Sequence, residues 1–354
     1  MIKSKTTFAL ALWSIACSSA SAITTAENSR IAHLSSVTAT SVQQTTWDGI
    51  PAIRTSHGQI EAIIVPAWGR VMRFGYIGGK NILWVAPPES LKAPGFKNRG
   101  GSKLWPAPQS EWTNFTGDVY PPDPSWDGQA FKSDIIAPNS KAPTIRLTSG
   151  KWSGVGVRAV IEFSWDSDGA FVIHETFHKI SGGPRRISLW NVAQVNYPDR
   201  VYAMTGAKTA LKNGYFWFFG GPSPQYEGSV THIAENCIKI VPDSEYSYKI
   251  GLDTANPTLV SISDGTAFTM SAKYINLALS PYPDGPDGDG FPVEFYNQGG
   301  GAIRYNEEEL LSPLYTLHQG QSCSQTIRWT LSPISSDSDT SQQTVLNLLT
   351  PAAH

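Results

Sequence analysis

Val155-Gly-Val-Arg-Ala-Val-Ile-Glu-Phe-Ser-Trp165 is the clearest run of alternation in the chain. Its odd positions, Val155, Val157, Ala159, Ile161, Phe163 and Trp165, are all apolar. Its even positions hold Gly156, Arg158, Glu162 and Ser164, with Val160 the one exception. Period two over that length predicts a strand with one buried and one wetter face. The next two segments read the same way. In Phe171-Val-Ile-His-Glu-Thr-Phe-His178, His174, Thr176 and His178 share the wetter face; in Arg186-Ile-Ser-Leu-Trp-Asn-Val-Ala-Gln194, Arg186, Ser188, Trp190 and Gln194 share one. Upstream, residues 59–65 and 68–76 are strand candidates, the second followed by the turn Gly78-Gly-Lys-Asn81. Downstream, 215–219, 268–274, 291–296 and 326–331 continue the pattern. No segment has sustained helical periodicity, and no strand–helix alternation suggests a parallel sheet. The expectation is an all-β, antiparallel domain with few short helices, from about 46 to 334.

Composition agrees. The chain has 354 residues with 31 Gly, 25 Pro and 12 Trp, and only 16% are charged, which suits many short strands joined by turns. The formal charge of −2 has no basic excess, so a nucleic-acid partner is not expected. Residues 1–22 read as an export signal: Lys3 and Lys5 precede the apolar run Phe8–Ala16, and Ala20-Ser-Ala22 fits a small-residue cleavage site. That run is too short for a membrane span. The expectation is a periplasmic or secreted protein, with acylation at Cys17 the less favoured variant. Residues 23–45 read as a flexible lead-in and 335–354 as a polar tail, with one helical turn near 344–349. A disulfide between Cys237 and Cys323 is allowed but not demanded by their spacing. No phosphate loop, H-E-x-x-H or G-x-S-x-G motif occurs, so no cofactor or metal is expected. Asp284, Asp287 and Asp289 could offer oxygens to calcium, but they lack EF-hand spacing and read as turn chemistry. Oligomeric state is not legible.

The densest stretch is Gly100-Gly-Ser-Lys-Leu-Trp-Pro-Ala-Pro-Gln-Ser-Glu-Trp112. Its Pro/Gly content excludes a helix and reads as a rigid loop holding indoles beside a cation and an anion. Sugars present C–H faces that stack on indoles and hydroxyls that seek charged or amide partners. Lys103, Trp105, Glu111 and Trp112 are therefore candidates for a carbohydrate-facing wall. The plain alternative is a Trp/Pro corner packed on the sheet.

Several dispersed motifs resemble one known group. Glu294 through Pro313, then Leu317-His-Gln-Gly-Gln-Ser322 and Ile327-Arg-Trp-Thr-Leu331, are similar to the closing segment of galactose-mutarotase-like β-supersandwich proteins. Trp68-Gly-Arg-Val-Met-Arg-Phe74 and Gly79-Lys-Asn-Ile-Leu83 match the group's opening pattern. The loop at 100–108 resembles the signature of the DUF4380 branch, with Gln109 where that signature ends in glutamate. The resemblance covers about 59–331 and implies a large antiparallel supersandwich that binds sugar on its concave sheet. It departs at the catalytic histidine, because Trp190-Asn-Val-Ala-Gln194 lacks the group's Asn-x-His.

The predicted site combines these readings. Trp105, Trp112 and Trp190 are the stacking platforms, with Lys103, Glu111, Arg186, Gln194 and Tyr296 as polar contacts. His174, at mid-strand, and Glu294 are the candidate acid/base pair. His174 and His178 lie about 13 Å apart along a strand, too far to share a metal. The chemistry stays open between epimerase-like proton shuttling and lyase-like β-elimination. A glycan-binding module without catalysis is the main rival, and a structural envelope protein a weaker one.

Overall fold

A computed structural model describes residues 40–206, 211, 213–219, 228–276, 281–285, 290–334 and 342–350. The alternating run becomes the strand Val157–Trp165, buried at every odd position and open to solvent at the even ones. It belongs to one of two large antiparallel sheets.

The first sheet runs, in spatial order, β1 (Thr40–Trp47), β2 (Ile50–His57), β3 (Ile60–Val65), β4 (Arg70–Tyr76), β5 (Ser102–Ala107), β10 (Arg185–Val195), β19 (Tyr305–Leu311), β18 (Val293–Gln298), β15 (Tyr248–Leu252) and β12 (Phe216–Phe219), with β20 (Tyr315–Leu317) also on β10. The second runs β13 (Val230–Ala234), β14 (Cys237–Ile240), β11 (Arg200–Met204), β16 (Thr258–Ser263), β17 (Thr266–Ala272), β21 (Ser322–Pro333), β9 (Phe171–Lys179), β8 (Val157–Trp165), β7 (Thr144–Trp152) and β6 (Lys132–Ile136). Pairing starts at Thr40, ahead of the boundary expected at 46. The export signal, Cys17 and the first part of the lead-in lie outside the described residues.

The core lies between the sheets. Phe74 of β4 packs against Trp165, Phe171, Phe268 and Trp329 of the second sheet, with ring centroids 5.1 to 6.4 Å apart. Trp165 also donates Nε1 to Thr55 Oγ1 of the first sheet at 2.9 Å. Among the described helices, α1 (Trp112–Thr116) follows β5, and α2 (Gln342–Leu349) buries Val345 and Leu349 in a cluster with Tyr202, Val260 and Ile262. No described helix is long and apolar enough to cross a membrane. Cys237 and Cys323 are both free and buried. They sit on β14 and β21, four strand spacings apart, or roughly 19 Å, beyond the reach of a disulfide.

Candidate active site

The stretch read as a loop is mostly strand. Ser102–Ala107 form β5 and are buried throughout, so the indoles belong to the sheet and its cover. Gly100 and Gly101 make the entry possible: both have positive φ, and a Cβ on either would meet a backbone oxygen of Trp84 or Val71 at 2.2 or 2.4 Å. Pro106 is tolerated because β4 pairs with β5 only at Val71–Ser102, leaving that side of β5 unpaired farther on. Arg70 then anchors the segment, donating to Gly100 O at 2.7 Å and to both Asp127 oxygens at 2.5 Å.

Registers fix which side chains share the outward face of the first sheet. Lys103 stands opposite Val192, Val192 opposite Glu309, and Glu309 opposite Glu294. One rung along, Gln194 stands opposite Glu307, Glu307 opposite Tyr296, and Tyr296 opposite Lys249. The alternation of Glu307-Glu308-Glu309 therefore sends the outer two carboxylates to this face and Glu308 into the core. A cleft of about 330 Å³ opens here, within the usual range for a ligand pocket. It is lined by Asn98, Lys103, Trp105, Gln109, Tyr120, Trp190, Gln194, Phe219, Lys249, Tyr296, Gln298, Tyr305 and Glu307. A larger depression of about 720 Å³ lies where Tyr76, Asn196 and Phe268 meet, but its ion pair, Lys80–Asp264, is mostly in water. The smaller cleft has the buried charge.

Lys249 holds the deepest part of it. Its Nζ sits 2.6 Å from Glu294 Oε2 and 2.9 Å from Glu309 Oε2, and lies over the Trp190 ring at 4.7 Å. Trp190 Nε1 donates to the same Glu309 oxygen at 2.8 Å. Burial alone would drive the Lys249 ammonium toward neutrality, but the two carboxylates outweigh it and raise its pKa. Glu294 is pushed well above the ordinary carboxylate range, by burial first, against the opposing pull of Lys249.

The Lys103–Glu307 pair is looser, at 3.4 Å. Burial raises the Glu307 carboxyl despite Lys103, and burial lowers the Lys103 ammonium despite Glu307. Both partners are thus drawn toward their neutral forms, which makes proton movement between them inexpensive. Lys103 and Gln194 Nε2, the latter at 2.8 Å, both donate to Oε1 of Glu307. Oε2 has no hydrogen-bond partner among the described residues, and the side chain is 15% exposed at the cleft. Gln194 Oε1 is likewise unpartnered among them. Lys103 also lies 4.2 Å from the centre of the Trp105 ring. Tyr120 and Phe219, both exposed, supply aromatic surface at the rim.

Five predicted residues line this cleft together: Lys103, Trp105, Trp190, Gln194 and Tyr296. Glu294 lies beneath it, held by Lys249. The others are elsewhere. His174 is on the outward face of the second sheet, its Nδ1 2.8 Å from Thr326 Oγ1. It cannot pair with Glu294, because both sheets and the core between them intervene. Glu111 is exposed and accepts from Asn114 Nδ2 at 2.7 Å. Arg186 is exposed at the start of β10, opposite Thr316. Trp112 is fully buried: its Nε1 donates to Pro106 O at 2.8 Å, and its ring packs edge-on to Trp105 and Trp126. It braces the cleft wall from behind and offers no platform. Asp284 accepts from Ser110 Oγ at 3.3 Å, while Asp287 and Asp289 lie outside the described residues. Among the described residues, no cluster of three or more His, Cys, Asp or Glu could hold a metal ion.

Sequence reading counts the Glu307–Glu309 run as a further source of an acid but ranks Glu294 above it, and it misses Lys249, Tyr305 and Asn98. Alternation through Glu307-Glu-Glu309 would have placed Glu307 opposite Glu308. Nothing local to Lys249 distinguishes it from a solvated lysine.

No family model matches the chain, and no curated protein sequence matches it. The DUF4380 resemblance therefore rests on the loop signature alone. Solved structures do match. A candidate aldose 1-epimerase from Klebsiella pneumoniae superposes with a TM-score of 0.55 at 9% identity, over 87% of this chain and 88% of that one. A galactose mutarotase-like protein from Lactobacillus casei gives 0.50 at 13%, over 79% and 100%. A TPR-domain containing protein from Parabacteroides distasonis gives 0.52 at 12%, over 83% of this chain; the match spans about half, 49%, of that longer protein. At such identities the likeness concerns architecture: the chain has the galactose-mutarotase-like fold, an all-β antiparallel supersandwich.

Proposed function

We propose that the cleft binds a sugar ring and that Glu307 exchanges protons with it. The observation that carries this reading is the Oε2 of a mostly buried carboxylate, unpartnered among the described residues, set beside a buried lysine and among indole, phenol and amide groups. Sugar recognition needs that combination of flat apolar surface and oriented hydrogen-bond partners. The fold shared with mutarotase-like structures supports it.

The reaction this arrangement suits is ring opening at an anomeric carbon. Glu307 takes the proton from the C1 hydroxyl, the C1–O5 bond breaks, and an acid donates a proton to the ring oxygen. Lys103, with its lowered pKa, is the acid nearest Glu307. Closure on the other face of C1 reverses these transfers and returns both groups to their starting states. Activity then needs Glu307 ionised and Lys103 protonated. Since the first pKa is raised and the second lowered, both limbs of the pH profile move inward toward neutrality.

A second reading, glycan binding without turnover, is favoured by one observation: among the described residues no histidine lines the cleft. Polarimetry on anomerically pure α-D-glucose and α-D-galactose separates the two. Accelerated mutarotation that vanishes in Glu307→Gln supports the enzyme. Glycan-array binding lost in Trp105→Ala, with no mutarotation by wild type, supports the module. A wild-type protein that does neither overturns both.

Two further proposals rest on sequence alone. The signature at 100–108 supports placement in the DUF4380 branch. Residues 1–22 support export to the periplasm or medium, testable by N-terminal sequencing of the mature protein, where an intact Met1 would refute it.

A further inference from the structure

A second pocket, of about 260 Å³, lies far from the cleft, where the β7–β8 and β9–β10 connections meet. Arg185 lines it, and Arg185 is nine residues along β10 from Gln194, roughly 30 Å at strand rise. Lys151 and Lys179 line it too, and among the described residues no carboxylate does. Arg158 stands directly across from Lys151 on β8 and adds to the positive field.

Lys179 is the telling member. It is 2% exposed, and its Nζ donates to Val155 O at 2.8 Å. Among the described residues that is its one hydrogen bond, and no ion pair is formed by Lys179 or Arg185. An ammonium has three donors, and a buried cation without a counter-charge is costly. Burial lowers its pKa and the neighbouring Arg185 lowers it further. Arg185 donates Nη2 to Gly154 O at 3.1 Å, while its Nε is buried without a partner among the described residues. Glycines open the approach: a Cβ on Gly156 would lie 2.8 Å from Lys179 Nζ, and one on Gly182 3.6 Å away.

We infer that this pocket is a binding site for a tetrahedral oxyanion, a sulfate or phosphate group, with Lys179 and Arg185 as its main ligands. Such an ion supplies the missing counter-charge and accepts the unused donors. The volume falls below the roughly 300–1,000 Å³ of pockets that enclose whole small molecules, and suits one charged group with its waters.

Thermal melting at matched ionic strength tests it, with sodium chloride, sulfate or phosphate at millimolar concentration. Wild type should melt at higher temperature in sulfate or phosphate than in chloride, and in Lys179→Met and Arg185→Gln that rise should be clearly smaller. Sulfate and phosphate also stabilise proteins generally by exclusion from the surface, but that effect survives in both variants. An equal rise in wild type and variants therefore overturns the site. Calorimetry with inorganic sulfate and with N-acetylglucosamine 6-sulfate identifies the source. Binding of the inorganic ion points to free anion, and binding of the sulfated sugar alone to a carried group. In either case Lys179→Met should weaken binding at least tenfold. Binding of neither probe refutes the proposal.

Discussion

The two outward faces of the sandwich use the same ion-pair chemistry in opposite settings. On the second sheet, Arg146 meets Glu162 at 2.7 Å with side chains 44% and 28% exposed. On the first, Lys249 meets Glu294 and Glu309 at 2.6 and 2.9 Å with side chains 13%, 1% and 0% exposed. Water screens the former pair and is excluded from the latter. The difference is cover, from the chain between β5 and β6 and from Phe218 of β12, whose ring centre lies 5.4 Å from Lys249 Nζ. Trp112, Trp126 and the segment carrying Tyr120 fold back over the first sheet's outer face, while β8 and β9 stay open on theirs. A polar face becomes a reactive one when something covers it.

The sharpest way to break this comparison is to exchange the groups assigned to each face. Glu307→Gln should reduce mutarotation by 10²- to 10⁴-fold, the usual contribution of a general base. His174→Ala, on the open face, should leave activity unchanged. Polarimetry of both variants decides it, and a loss at His174 with none at Glu307 would return the chemistry to the second sheet.

Next in size is the loss of a buried charge. Lys249→Met leaves Glu294 and Glu309 facing each other without a cation, and should cost about 3–5 kcal/mol in urea unfolding. Adding Glu294→Gln should recover part of that, because one of the two like charges is gone. If Lys249→Met unfolds like wild type, the cleft floor is wetter than its burial implies.

The same contrast separates what could be read in the sequence from what could not. Alternation in β8 was legible because one face meets solvent and the other the core. In β10 both faces are buried over most of the strand, so Trp190 and Gln194 were found through their shared parity with Arg186, which proved to lie outside the cleft. Indole density marked the right region at 100–112, but an indole's position in the chain does not distinguish Trp105, which lines the cleft, from Trp112, which braces it. The wet polar face of β9 drew attention to His174, since sequence patterning reports polarity and is blind to cover. Lys249 reached its carboxylates only through the long-range pairing of β15, β18 and β19, which leaves no local trace.

Between the faces lies a third setting, the core itself, which holds buried carboxyls such as Glu175 and Glu308. Glu175 accepts from Asn191 Nδ2 at 2.6 Å and Gln325 Nε2 at 2.7 Å, yet burial outweighs both and raises its pKa from 4.5 to about 7. The folded state then binds the proton more tightly than the unfolded chain. Its contribution is fully present below about pH 4.5 and is lost as pH rises toward 7, a change of about 3 kcal/mol at 1.36 kcal/mol per unit. Glu175→Gln should lessen the slope of that part of the stability–pH curve, to which Glu308, raised by burial to about 8, also contributes. An unchanged slope would mean that Glu175 is already ionised in the fold.

The smallest effect belongs to the open face. Arg146→Ala removes a pair that water already screens, so it should shift stability by less than about 1 kcal/mol, and less still in high salt. Paired with Lys249→Met in the same unfolding series, it measures what cover alone contributes. The two sites share a similar nitrogen–oxygen distance, 2.7 against 2.6 Å, and differ in exclusion of water. Comparable losses at both would mean that distance governs these pairs, and the argument for a special cleft would have to stand on Glu307 alone.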